Sequence, residues 1–213
     1  TRRVTGSRFL RHSVHIQALT ILTKDKIILG IDPGTRILGF GVVHVIGRKA
    51  NYVDMGVVNL KKIEDHFVTL KTIYKEVLAI IEKYNPDELA IESPFYGKNP
   101  QVMLKLGRAQ GAAIAAALER CMPIFEYAPR SIKLAVTGKG AASKEQVAMM
   151  AQRLLDVDIP QEYLDATDAL AIALCHHYHL MNPVAAVSSA KRGGKKLSGS
   201  WEHFVEANPG RVK

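Results

Sequence analysis

Apolar residues along this chain follow two rhythms. Nearly unbroken runs at 27–32 and 37–46, separated by Pro33-Gly34-Thr35-Arg36, and a third at 52–60 after the turn signal GRKAN, predict an antiparallel meander of three strands. From Asp65 to Tyr84 the apolar positions Phe67, Leu70, Ile73, Tyr74, Val77, Leu78 and Ile81 recur at helical spacing, and Asn85-Pro86 ends the run. A short strand, Leu89 to Glu92, follows. The loop SPFYGKNP then leads to a helix of small residues at 101–119, and PIFEYA supplies another strand. Helices near 130–137, 144–155 and 166–180 complete the pattern.

Strands first in succession and then alternating with helices imply both kinds of pairing in one sheet. The predicted fold is α/β: a five-stranded mixed sheet, three strands antiparallel and two parallel, flanked by helices on both faces. One domain over 26–180 accounts for it, and there are no internal repeats. Residues 1–25 are expected to form a disordered basic extension, and 181–213 a flexible basic tail marked by AKRGGKKLSGS.

Against this pattern four carboxylates stand out. Asp32 closes the first strand, Glu92 closes ELAIE, and Asp165 and Asp168 open the helical run DATDALAIALCHHY. Taken singly, each has a plain structural role. Asp32 begins the type II turn signal D-P-G-T, Glu92 ends a strand, and Asp165 and Asp168 cap a helix. Taken in order they say more, because acids at the rim of an apolar core lose solvation and need counter-charge. No Lys or Arg lies within two residues of any of them, so hard divalent cations, Mg²⁺ or Mn²⁺, are the expected partners.

Charge changes the picture once it is divided by segment. The net +9 resides in the two ends, +5 over 1–24 and +4 over 181–213, while 25–180 sums to zero. Within that neutral part, 97–153 carries nine basic and three acidic residues, which suits a polyanion held over a metal site. Cys121 and Cys175, the only cysteines, form no paired motif, so neither a disulfide framework nor a zinc site is indicated and a cytoplasmic setting fits. No apolar run reaches the ~18 residues of a membrane span. His176, His177 and His179 fall in the last turns of a helix, where histidine suits the dipole, and are not expected to bind metal.

Four blocks now acquire a common meaning: IILGIDPGTRILGFGVV, ELAIESPFYGKNPQVMLKLGRAQGAAIAAAL, EYAPRSIKLAVTGKGAASKEQV and DATDALAIALCHH. In order and spacing, from about Lys26 to His179, they closely resemble the RuvC family of bacterial Holliday junction resolvases, within the ribonuclease H-like superfamily. The resemblance implies a homodimer that makes paired symmetric nicks in four-way DNA junctions and leaves 5′-phosphate and 3′-hydroxyl ends. It implies that Asp32, Glu92, Asp165 and Asp168 are the catalytic tetrad; two-ion chemistry, with two Mg²⁺ per subunit, then makes Asp32 the candidate bridging ligand, with Glu92 and Asp168 each securing one ion and Asp165 holding the outer coordination shell or a metal-bound water. It also places Lys133 and Lys144 near the scissile phosphate, and Phe95 against an unpaired base at the junction centre. Tyr96, Lys98, Lys105 and Arg108 are expected DNA contacts, and RuvA and RuvB, a branch-migration motor, are inherited as partners. The rival readings are another nuclease or transposase on this fold, a junction-binding protein without cleavage, and an ATP-binding fold of the sugar kinase and actin group. The last needs a second Gly-rich phosphate loop that this chain lacks.

Overall fold

The structure is a computed structural model that describes residues 25–94, 99–160 and 164–181; the side chains of Leu164 and Asp165 lie outside that description. So do the basic extension over 1–24, Phe95, Tyr96, Lys98 and the tail beyond Met181. The chain divides between Met181 and Asn182, and the first unit contains everything described below.

Five strands form one sheet in the order β3-β2-β1-β4-β5. They are β1 (Lys26–Asp32), β2 (Ile37–Ile46), β3 (Lys49–Asn59), β4 (Glu88–Glu92) and β5 (Ile124–Tyr127). β1 is antiparallel to β2 and parallel to β4, β2 is antiparallel to β3, and β4 is parallel to β5, as the sequence predicts. One boundary differs. β3 begins at Lys49 rather than 52, because Gly47 and Arg48 alone make the hairpin turn and Ile46 pairs directly with Lys49.

Helices cover both faces. On one lie α1 (His66–Tyr84) and α2 (Pro100–Glu119). Asp65 caps α1 by accepting from the Val68 N–H at 2.9 Å, and Asn99 caps α2 ahead of Pro100. The buried stripe of α1 is Thr69, Ile73, Val77, Ile80 and Ile81. Phe67 departs from expectation. Two residues before Thr69, it points about 200° around the helix from that stripe, and it is exposed. In α2, Ala109, Ala113, Ala116 and Ala117 are buried against Leu29, Ile31, Leu89 and Ile91 of the central strands.

The other face carries α3 (Pro129–Thr137), α4 (Lys144–Leu155) and α5 (Leu164–Met181). α4 opens on a full capping box between Ser143 and Gln146. α5 lies directly on the backbones of β1 and β2, and two glycines make this possible. A Cβ on Gly30 would stand 2.0 Å from the Ala169 carbonyl oxygen, and one on Gly41 would stand 2.6 Å from the Leu170 nitrogen. With Ala166, Ala169, Leu170 and Ala173 fully buried, α5 is the inner helix of this layer, and it starts at the sheet edge where β1 and β4 end.

Candidate active site

Parallel pairing of β1 with β4 puts Ile31 opposite Ile91, so the next residues, Asp32 and Glu92, emerge side by side at the carboxyl ends of the two central strands. Alternation sends both toward the face covered by α5, as Ile28 and Ala90 on the same strands confirm by packing there. Asp168, from the first turns of α5, joins them. Asp32, Glu92 and Asp168 line one cavity of about 290 Å³, walled by Ile132 and Val147 and faced by Lys133 of α3 and Lys144 of α4. Three of the four sequence-predicted acids therefore meet. Asp165 lies one turn before Asp168 on α5, with its side chain outside the described residues.

The cations are a correction to the sequence argument. Although no Lys or Arg adjoins the acids along the chain, Lys144 Nζ pairs with Asp168 Oδ2 at 2.9 Å, so part of the counter-charge comes from another helix. Lys133 and Lys144 line the same cavity as the three acids. Lys105 and Arg108 are exposed on α2 and do not line the cavity.

Glu92 shows how strained the balance of charge is. Burial, then the negative charges of Asp32 and Asp168, push its pKa to about 7, against the opposing pull of Lys133 and Lys144. Its carboxyl thus holds a proton near neutrality. Below the ordinary value of 4.5 it is protonated in the folded and unfolded chain alike. Between there and about 7 the unfolded chain ionises while the folded one resists, so metal-free stability falls as pH rises through this window. Glu92→Gln is therefore expected to melt several degrees above the parent in EDTA at about pH 8, and level with it at about pH 4.5. An equal difference at both values would contradict the assignment.

The donor chemistry suits a hard divalent ion, since the acids offer only carboxylate oxygens and their mutual repulsion is what a cation relieves. Among the described residues, no group of three or more His, Cys, Asp or Glu side chains is already drawn together as a metal cage. The site is an open carboxylate cavity, in which the Lys144 ammonium engages Asp168.

Sequence reasoning missed the residues that hold these elements in place. The buried Gln110 of α2 donates to the Glu92 carbonyl at 3.3 Å and to Glu126 at 3.2 Å, fixing the end of β4. The Ser93 N–H donates to the Tyr127 carbonyl at 2.9 Å. The histidines of α5 have structural partners: His176 with Glu88 and Tyr127, His177 with the Arg48 carbonyl, His179 with the Cys175 carbonyl. Burial pushes the His177 pKa down.

Residues 28–176 match the family described as crossover junction endodeoxyribonuclease RuvC. The protein of that name from Bacteroides fragilis is 54% identical over 193 residues, covering 89% of this chain and 97% of the relative. That of Porphyromonas gingivalis is 49% identical over 194 residues, covering 89% and 98%. Among solved structures, Thermus thermophilus RuvC in complex with a Holliday junction substrate aligns with a TM-score of 0.66 and 35% identity, over 73% of this chain and 96% of that one. The yeast mitochondrial Holliday junction resolvase Ydc2 aligns with a TM-score of 0.59 at 16% identity, over 84% and 90%, a likeness of fold.

Proposed function

The chain belongs to the RuvC family of crossover junction endodeoxyribonucleases, metal-dependent nucleases of ribonuclease H-like fold, and is a Holliday junction resolvase; from that premise we propose how its residues divide the work. The observation that carries the proposal is the meeting of Asp32, Glu92 and Asp168 in one cavity, from two parallel strand ends and a helix start.

Asp32, Glu92 and Asp168, with Asp165 one helical turn away, hold two Mg²⁺ per subunit, and Mn²⁺ substitutes for them. Bound there, the ions supply the positive charge that activates an attacking water and stabilises the departing 3′ oxygen. In the metal-free site Glu92 holds a proton to about pH 7, and its service as a ligand requires loss of that proton, so the Mg²⁺ concentration needed for cleavage rises as pH falls below this value. Lys133 and Lys144 stand at the same cavity, where they offset negative charge gathering on the phosphate being cut. Lys105 and Arg108, exposed on α2, contact phosphates farther along the DNA. Phe95 stacks on an unpaired base, with Tyr96 and Lys98 beside it, in the segment that joins Glu92's strand to α2.

Two symmetric nicks call for two such cavities, hence a homodimer. α2 supports this, for its outer side carries Leu104, Gly107, Gly111 and Leu118 at helical spacing. Among the described residues nothing beyond the helix itself lies within 4 Å of a Cβ placed on either glycine, so a second helix can approach closely there. Action beside a RuvA and RuvB branch-migration complex completes the proposal.

The test is direct. Pure protein is incubated with Mg²⁺ and either a mobile four-way junction or a linear duplex of the same sequence. Paired nicks at symmetric positions of the junction are expected, with the duplex intact. Equal cutting of both substrates, or of neither, would overturn the reading.

A further inference from the structure

Two helical turns beyond Asp168, a second polar set is buried under α5. His176 is 1% exposed, and its ring is flanked by Phe125 at a centroid distance of 4.3 Å. Its Nε2 meets Glu88 Oε2 at 2.8 Å, and its Nδ1 meets the Tyr127 hydroxyl at 2.6 Å. Lys26 closes the set by pairing with the other Glu88 oxygen.

The direction of the bond to Glu88 follows from the partners. Burial acts to raise the Glu88 pKa, but the bonds from His176 and Lys26 outweigh it and hold the carboxyl below its ordinary range, so Glu88 is an acceptor. Nε2 therefore carries a proton and donates. Tyr127 is raised by burial and keeps its proton, and its hydroxyl meets Nδ1, which can accept from it or donate to it. Every buried polar atom of His176 is thus satisfied by a strand of the sheet, Nε2 by β4 and Nδ1 by β5.

These strands are also the ones that present the carboxylate cavity. Glu88 and Glu92 lie four apart on β4 and so share a face, and Tyr127 is the register partner of Glu92. Among the described residues, most of the remaining contact of α5 with the sheet is through apolar side chains and the glycine backbones, with His177 bonding the Arg48 carbonyl of the β2–β3 turn. Such contact is strong but non-directional, and it specifies poorly how far a helix slides or rolls. A shift of one residue would move Asp168 by about 1.5 Å and turn it by about 100°. Misplacement of about 1 Å costs roughly a hundredfold in rate at a catalytic centre.

We propose that Tyr127, His176 and Glu88 are positioning residues, a hydrogen-bonded clasp that sets α5 on the sheet and so holds Asp168 opposite Asp32 and Glu92 for cleavage. The proposal rests on the carboxylate assignment given above.

Tyr127→Phe removes one hydroxyl and keeps the ring, and it is assayed in the full chain. Single-turnover cleavage of a four-way junction is expected to slow about tenfold, and the Mg²⁺ concentration for half-maximal rate to rise severalfold. Junction affinity in EDTA should stay within about twofold of the parent. A merely structural loss would lower the folded fraction and the reaction amplitude, leaving rate and Mg²⁺ dependence of the folded molecules unchanged; that outcome overturns the clasp. His176→Gln, which replaces the rigid ring bridging Glu88 and Tyr127 by a flexible amide, must show the same pattern and decides the matter if Tyr127→Phe does not fold. Asp168→Asn is run in parallel. If it cleaves like the parent, the carboxylate reading fails; if it is inactive while both clasp variants match the parent in rate and Mg²⁺ dependence, the clasp alone fails.

Discussion

Asp32→Asn is expected to lower single-turnover cleavage of a four-way junction by at least about a thousandfold while leaving junction affinity in EDTA within a few-fold of the parent. The side chain stands at the end of the central strand, beside Glu92 and facing the cavity that Asp168 also lines. Asn keeps its shape, so the sheet and α5 have no reason to move. What disappears is the charge on which the proposed metal binding depends. The same substitution removes one of the two carboxylates that raise the Glu92 pKa, so proton release from Glu92 shifts to lower pH. Metal-free Asp32→Asn should accordingly be at least as stable as the parent at about pH 8, by thermal denaturation in EDTA. Residual cleavage within tenfold of the parent would remove Asp32 from the chemistry. Loss of junction binding in parallel with cleavage would make it a DNA contact or a folding residue instead.

Gly30→Ala is the second large effect, and it acts through the fold. The new methyl would overlap the Ala169 carbonyl oxygen at 2.0 Å and crowd the Ala173 nitrogen at 2.9 Å, both backbone atoms of a helix with no freedom to bend locally. Relief requires lifting α5 as a body from β1 and β2, which strips contact from the buried layer containing Leu170, Ile172 and Leu174. The expected cost is about 3 kcal/mol or more, a large share of the stability of an ordinary domain. Urea denaturation measures it as a lowered midpoint. Folded Gly30→Ala molecules should also cleave poorly, since Asp168 travels with the helix. A midpoint unchanged from the parent would show that α5 is not seated on Gly30.

Much of this was legible in the residues. Continuous apolar runs such as IILGI and ELAI identify strands buried on both faces, and the Ile73, Val77, Ile81 spacing identifies α1, because these patterns reflect steric and solvation rules acting over a few residues. The acids at strand ends were visible for the same reason. Phe67 misled because an apolar side chain near a helix start satisfies the spacing loosely whichever way the stripe turns, and only the buried Thr69 shows its direction.

Chain order could not supply the partners of charged and polar groups. That β1 neighbours β4, that Lys144 reaches Asp168, and that Glu88 meets His176 from 88 residues away are facts of spatial distance. Coulomb and hydrogen-bond energies depend on separation in ångströms and on exclusion of water, quantities that no local pattern contains. The sequence by itself determined which residues form strands and helices and which acids end them. The packing of α5 against the sheet decided which acids share a cavity, how tightly Glu92 keeps its proton, and what holds Asp168 in place.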